Sequence, residues 1–239
     1  MKINEFKWEA INFFLYTYFG IVNRGLADVR EDDKKEMIKK CSYRAYLDMC
    51  RTLKFKKENE DNSKNRSEII YPICDEMAEI LNKNGPTNKK IEELYKFLDD
   101  KNNEKIVRLR EILNLEDMKR KGDDAQTGLH YGQIQKWVNM PLKYMWLIGL
   151  LKDEDKNCLQ IPIDSIIMRE MSDDLETNFP CYNGKIRKYS ESSSIPWSKL
   201  NKEEYKEIKN SIKTESSPIK WECNAWIKYA EKKRKRGKK

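Results

Sequence analysis

Apolar positions recur along this chain at intervals of three and four, and alternating β-branched runs are nearly absent, a pattern that predicts an almost wholly helical, all-α protein. Helices are expected over Ile3–Phe19, Lys34–Lys56, Arg66–Leu81, Lys89–Leu98, Glu104–Leu115, Tyr131–Leu151, Ser165–Met171, Lys202–Ile212 and Ile219–Lys233. Polar breakers separate them. Glu58–Arg66 carries no apolar residue, and Asn84-Gly85-Pro86-Thr87 stops one helix where Thr87 or Asn88 is placed to cap the next. Lys121–Gly128 parts a charged N-terminal half from a more aromatic C-terminal half. From Ser172 to Pro196 no helical period is visible, so a long functional or mobile loop is expected there, ending at Trp197 as an anchor with Ser198 or Asn201 as the following cap. The division that follows is residues 1–120, residues 121–230 and a basic tail over 231–239.

Composition narrows the class. With 239 residues the chain is long enough for a sizeable core, while 37% charged residues and a mean hydropathy of −0.90 predict a soluble protein. The apolar clusters around Ile11–Ile21 and Trp137–Leu151 are interrupted, short of the roughly 20 apolar residues a membrane span needs, and Met1–Lys7 lacks a signal-peptide core, so a cytoplasmic location is expected. A net charge of +8 points to a polyanionic partner. Most of it lies from Lys228 to Lys239, where eight basic residues face only Glu231; this end is expected to be disordered without a polyanion. The six cysteines form no CxxC pair and His130 is the single histidine, so no metal site and no cofactor is expected, and the thiols read as free or buried. Neither GxxxxGK[ST] nor GxGxxG occurs, which sets aside the common nucleotide-binding loops.

The candidate chemistry sits in Tyr131–Leu151, the most apolar helical segment, which two lysines interrupt. Lys136 and Lys143 are one heptad apart and fall within about 20° of each other on the helix face. A lysine that is desolvated, or crowded by a second cation, is available as an amine nucleophile; a lysine on a helix flank can equally snorkel to solvent. Pro141 is expected to kink this helix or to mark a join. Farther on, Pro162 holds the chain extended so that Asp164 can cap the helix beginning at Ser165, and a carboxylate so placed suits a developing positive charge.

A lysine near the start of an apolar helix, a short loop and an aliphatic–Pro–aliphatic–Asp turn into another helix resemble the helix–hairpin–helix DNA glycosylase superfamily. Gln135-Lys136-Trp137 with Lys143-Tyr144, and Ile161-Pro162-Ile163-Asp164, are most similar to the archaeal 8-oxoguanine glycosylase type, and the chain is also similar in kind to the Brig-type bacterial antiphage glycosylases. The resemblance is strong over Gly128–Met171. The segment Gly128-Leu129-His130-Tyr131-Gly132 stands where the family has its hairpin, with different glycine spacing and no proline.

What the resemblance implies is two helical subdomains flanking a DNA-binding cleft, in a monomer that acts on double-stranded DNA carrying a modified base. Lys136 would be the nucleophile, giving a Schiff base with strand cleavage as an associated lyase activity, or would position substrate for an attacking water; Lys143 is the second choice of nucleophile, and Asp164 would stabilise oxocarbenium character at C1′. Trp137, Tyr144 and Trp197 are the leading base-pocket candidates, with Trp146 and Trp221 behind them, and a place in the core is the alternative reading for each. Gly128, Gly132, Gln133, Lys185, Arg187 and Lys188 would meet DNA phosphates, and Asp173, Asp174, Asn178 and Asn183 would contact a hydroxyl-rich base. The expected substrate is glucosylated hydroxymethylcytosine in phage DNA, ahead of 8-oxoguanine; a non-enzymatic helical nucleic-acid-binding protein is the reading from a different class.

Overall fold

A computed structural model describes residues 13, 15–20, 31–57, 63–120, 128–212 and 217–236. Residues 15–19 are helical, and the rest of the expected first helix, like 121–127 of the expected linker, lies outside the described residues. The helices that follow are α1 (Glu31–Met49), α2 (Ser63–Asn82), α3 (Thr87–Asp99), α4 (Glu104–Ile112), α5 (Leu115–Met118), α6 (Tyr131–Leu147), α7 (Ser165–Asp174), α8 (Lys202–Ser211) and α9 (Pro218–Arg236). The protein is mostly helical, as its periodicity predicts.

Helix α6 is the centre of the molecule. Every residue from Gly132 to Met145 is buried, which is how a helix apolar around most of its circumference reaches a low free energy. It packs on α1, α3, α8 and the 3-10 turn Trp197–Lys199, while α1 also packs on α2, and α7 on α9. The buried apolar cluster runs from Leu15 to Ala225, across both sides of the expected boundary at 120/121. No described helix is long and apolar enough to cross a membrane.

Four local expectations change. Helix α6 runs through Pro141 without a break, so the proline costs one intrahelical hydrogen bond but makes no join. Thr87 does not cap α3: it is the helix's first residue, and its hydroxyl donates to Asp155 at 2.8 Å. The segment after α7 is partly ordered as an antiparallel hairpin, β1 (Asn178–Pro180) with β2 (Ile186–Lys188), pairing Phe179 with Arg187. Cys181–Gly184 forms its turn, the Gly184 N–H donating to the Cys181 carbonyl at 3.0 Å and Gly184 taking a positive φ of 73°. Last, the basic C-terminal segment is helical through Arg236, and residues 237–239, at the end expected to be disordered, lie outside the described residues.

The reason for that last change is pairing. Lys228 forms an ion pair with Asp174, and Lys232 reaches Glu170, a buried carboxylate on α7, with both oxygens within 3.0 Å. Asp173 lies 3.8 Å from the same ammonium. These contacts fasten α9 along α7 and neutralise part of the charge that the sequence sets outward. Asp173 and Asp174 are thereby committed to lysines rather than offered to a base.

A candidate Lys–Asp site

The turn into α7 is built as its residues suggest. Ile161 and Ile163 are buried on either side of Pro162, and the Gln135 side chain on α6 grips Ile163 from both sides, donating to its carbonyl at 2.8 Å and accepting from its N–H at 3.1 Å. Asp164 is thereby held over the first turn of α7. Its Oδ1 accepts the N–H groups of Ile166 and Ile167, each at 3.0 Å. Its Oδ2 is left for Lys136, whose Nζ lies 2.6 Å away. The two residues proposed from sequence to act together are in direct contact, 6% and 5% exposed.

Two features close this pair in. The Trp197 ring lies over the lysine, with Nζ 5.1 Å from its centroid, a cation–π arrangement. Behind it, Gly132 lets the Trp197 turn sit against α6: a Cβ there would stand 1.8 Å from the Trp197 carbonyl oxygen, and Gly132 donates its N–H to Leu200 at 2.9 Å. Only glycine permits this approach.

Lys143 is not a free second cation crowding Lys136. It is paired at 2.5 Å with Glu222 from α9, a carboxylate 1% exposed. Burial pushes the Glu222 carboxyl above its ordinary range, Lys143 opposes that shift, and Asp164 and Lys136 lie near enough to act on it as well. The neighbouring Cys223 thiol is pushed up to about 11 by burial, with Lys143 opposing and Glu222 adding to it. The interior thus holds two lysines of one helix matched by carboxylates from α7 and α9. Glu222 was not foreseen, although its position carried a signal: Ile219, Glu222 and Ala225 recur at intervals of three, placing a carboxylate on a buried face.

The other expected residues divide. Trp197 is beside Lys136, but Trp137 and Tyr144 are not. Trp137 is fully buried, its indole donates to the Ser42 carbonyl at 3.2 Å, and its ring packs on Tyr46. The Tyr144 hydroxyl donates to Asp48, and its ring packs on Phe19. Both are core residues facing the N-terminal part of the chain. Trp146 is half-buried, with its indole donating to Asp153, and Trp221 is half-buried against the core.

Among the expected phosphate ligands, Gly132 and Gln133 turn inward. The Gly132 N–H is used by Leu200, and the Gln133 side chain accepts from His130 N–H at 3.0 Å and donates to the Thr52 carbonyl at 3.1 Å. Neither is presented to a ligand. Gly128 is half-buried beside the Arg110 side chain. Lys185, Arg187 and Lys188 stand exposed on the hairpin, where Asn183 stabilises the turn by accepting from the Lys185 N–H. All six cysteines are free, and no group of three or more metal-ligating side chains occurs among the described residues. Comparison with known protein families, curated proteins and solved structures finds no match for this chain.

Proposed function

We propose that this chain is a DNA glycosylase that extrudes a modified base and excises it, leaving an abasic site, and that its preferred substrate is glucosylated hydroxymethylcytosine of phage DNA in a defence setting. The observation that carries this reading is the Lys136–Asp164 contact at 2.6 Å, in which backbone amides of α7 fix one carboxylate oxygen and the other faces the amine. A base must leave the duplex before its glycosidic bond is reached. Asp164, oriented by the backbone amides at the helix N-terminus, then stabilises positive character at C1′. Lys136 attacks C1′ as a neutral amine after giving its proton to solvent; a C1′–N bond forms, and the bond to the base breaks with its electron pair leaving on the base, which takes up a proton; the sugar ring then opens to an imine, and water hydrolyses it, freeing Lys136 and leaving the abasic site. Exposed Lys185, Arg187 and Lys188 on the hairpin supply phosphate contacts.

This reading requires the Trp197 cover to move aside, because the pair is closed. That closure also favours the second reading, a non-enzymatic helical nucleic-acid-binding protein in which the buried pair is a structural tie between α6 and α7. Incubation with duplexes carrying glucosylated hydroxymethylcytosine, 8-oxoguanine or ordinary bases, followed by detection of free base, separates them. Base release that is abolished by Lys136→Ala and by Asp164→Asn, with both variants still folded, supports the glycosylase, and the substrate released fastest fixes the base. Borohydride trapping of a protein–DNA adduct that is lost in Lys136→Ala assigns the nucleophile, whereas trapping lost only in Lys143→Ala moves it. No release from any duplex leaves the binding protein.

A further inference from the structure

A cleft separate from the Lys–Asp pair opens between α3 and α8 over the first turn of α6, with a volume of about 650 Å³, within the range of small-molecule sites. Its aromatic lining is ordered. Tyr95 and Tyr131 lie nearly parallel, 11° apart with centroids at 5.3 Å, and Tyr205 lies 5.4 Å beyond Tyr131. The Tyr205 hydroxyl is fixed by donating to Gln160 at 3.1 Å and accepting from Asn139 at 3.0 Å. These walls are rigid before anything binds, which lowers the entropic cost of binding.

The charges around the cleft lean opposite ways on its two walls. Lys202, Lys206 and Lys209 line it from α8, at spacings of four and three that put them on one side of the helix. Glu92, Lys96 and Asp99 of α3, with Asp100 just past its end, line it from the other side, which is acidic on balance. No ion pair joins any of these seven residues to an oppositely charged side chain among the described residues. The Lys209 ammonium is partly desolvated, and its pKa is lowered by that burial. A row of three lysines outside any ion pair, an aromatic end wall and a wall that is acidic on balance together ask for a ligand that is anionic at one end, flat and aromatic in part, and rich in hydrogen-bond donors at the other.

We infer that this cleft binds a nucleotide, with phosphate on the Lys202–Lys206–Lys209 wall, base against the tyrosines, and sugar hydroxyls or an exocyclic amine toward Glu92 and Asp99. The nucleotide comes either free or as one unit of a single strand, since aromatic platforms beside basic rows suit both. The cleft also touches the approach to Asp164: Gln160 lines it, and three residues later Ile163 is gripped by Gln135. This inference does not depend on the glycosylase reading.

The test is titration of the full chain with AMP, with CMP and with a short oligodeoxynucleotide, followed by calorimetry at low salt and by tyrosine fluorescence. Saturable binding of a mononucleotide, weakened at least tenfold by Lys206→Glu and by Tyr131→Ala but not by Asp164→Asn, is expected if free nucleotides are the ligand. Saturable binding of the oligonucleotide alone, with the same response to the variants, assigns the strand. Lys206 is exposed, so its substitution keeps the test valid if Tyr131→Ala unfolds. No saturable binding of any probe, or binding indifferent to Lys206→Glu in a folded protein, overturns the inference.

Discussion

Glu222 carries its charge inside the core, where burial raises its carboxyl pKa above the ordinary range. A carboxylate with 1% exposure is tolerated because Lys143 is 2.5 Å away, and cutting such a pair leaves a buried charge uncompensated. Glu222→Gln is therefore expected to destabilise the fold by roughly 3–5 kcal/mol, and the apolar double variant Lys143→Met with Glu222→Leu by less, as read from urea unfolding. The pH dependence has a definite sign. Because burial raises the Glu222 carboxyl above its unfolded value, the folded state holds more protons just above pH 4.5, and this group's contribution to stability falls as pH rises through that window. The Glu222→Gln variant should lack that fall. Its Cys223 thiol, relieved of the neighbouring negative charge, should also alkylate faster at fixed pH, as measured by mass spectrometry at that peptide.

At the level of elements, the most exposed dependence is that of α6 on the Trp197 turn. Gly132→Ala would drive a methyl group into the Trp197 carbonyl, so the turn must lift from the helix; a loss of several kcal/mol is expected, with a red-shifted tryptophan emission as Trp197 becomes wetted. The sequence made α6, α7 and the Asp164 cap readable because each rests on neighbours: the apolar run, Pro162, and a short acid before a helix. The Lys136–Asp164 contact was reachable for the same reason, spanning only 28 positions. The hairpin was missed although Asn183-Gly184 between two short extended runs is its local signature. The partners of Lys143, Lys228 and Lys232 were not readable, since nothing in local spacing tells which distant helix a charge will meet. Trp137 and Tyr144 show the converse: aromatic residues beside a buried lysine in sequence point, one helical step round, into the core.

Across the whole molecule, charge that counts toward a polyanion is what remains after internal pairing. Lys228 and Lys232 face α7, whereas Lys233, Arg234 and Lys235 stand exposed. Replacing those three by Gln should flatten the dependence of log affinity on log salt by about 2 to 3 if each contacts one phosphate. Lys232→Gln should scarcely change that slope, yet should destabilise α7 by about 1–3 kcal/mol by leaving Glu170 unpaired, as measured by thermal or urea unfolding.

The fastening of α9 on α7 also sets an order of opening. Lys136 and Asp164 are joined across 28 positions, but Lys232 and Glu170 across 62, and Glu222 arrives on the same late segment. Contacts of larger separation carry the larger loop-closure cost. Helix α9 is thus the natural unit of partial unfolding: its amides should exchange with solvent deuterium at a lower free energy than those of α6, and Cys223 should become alkylatable at the same rate at which they exchange.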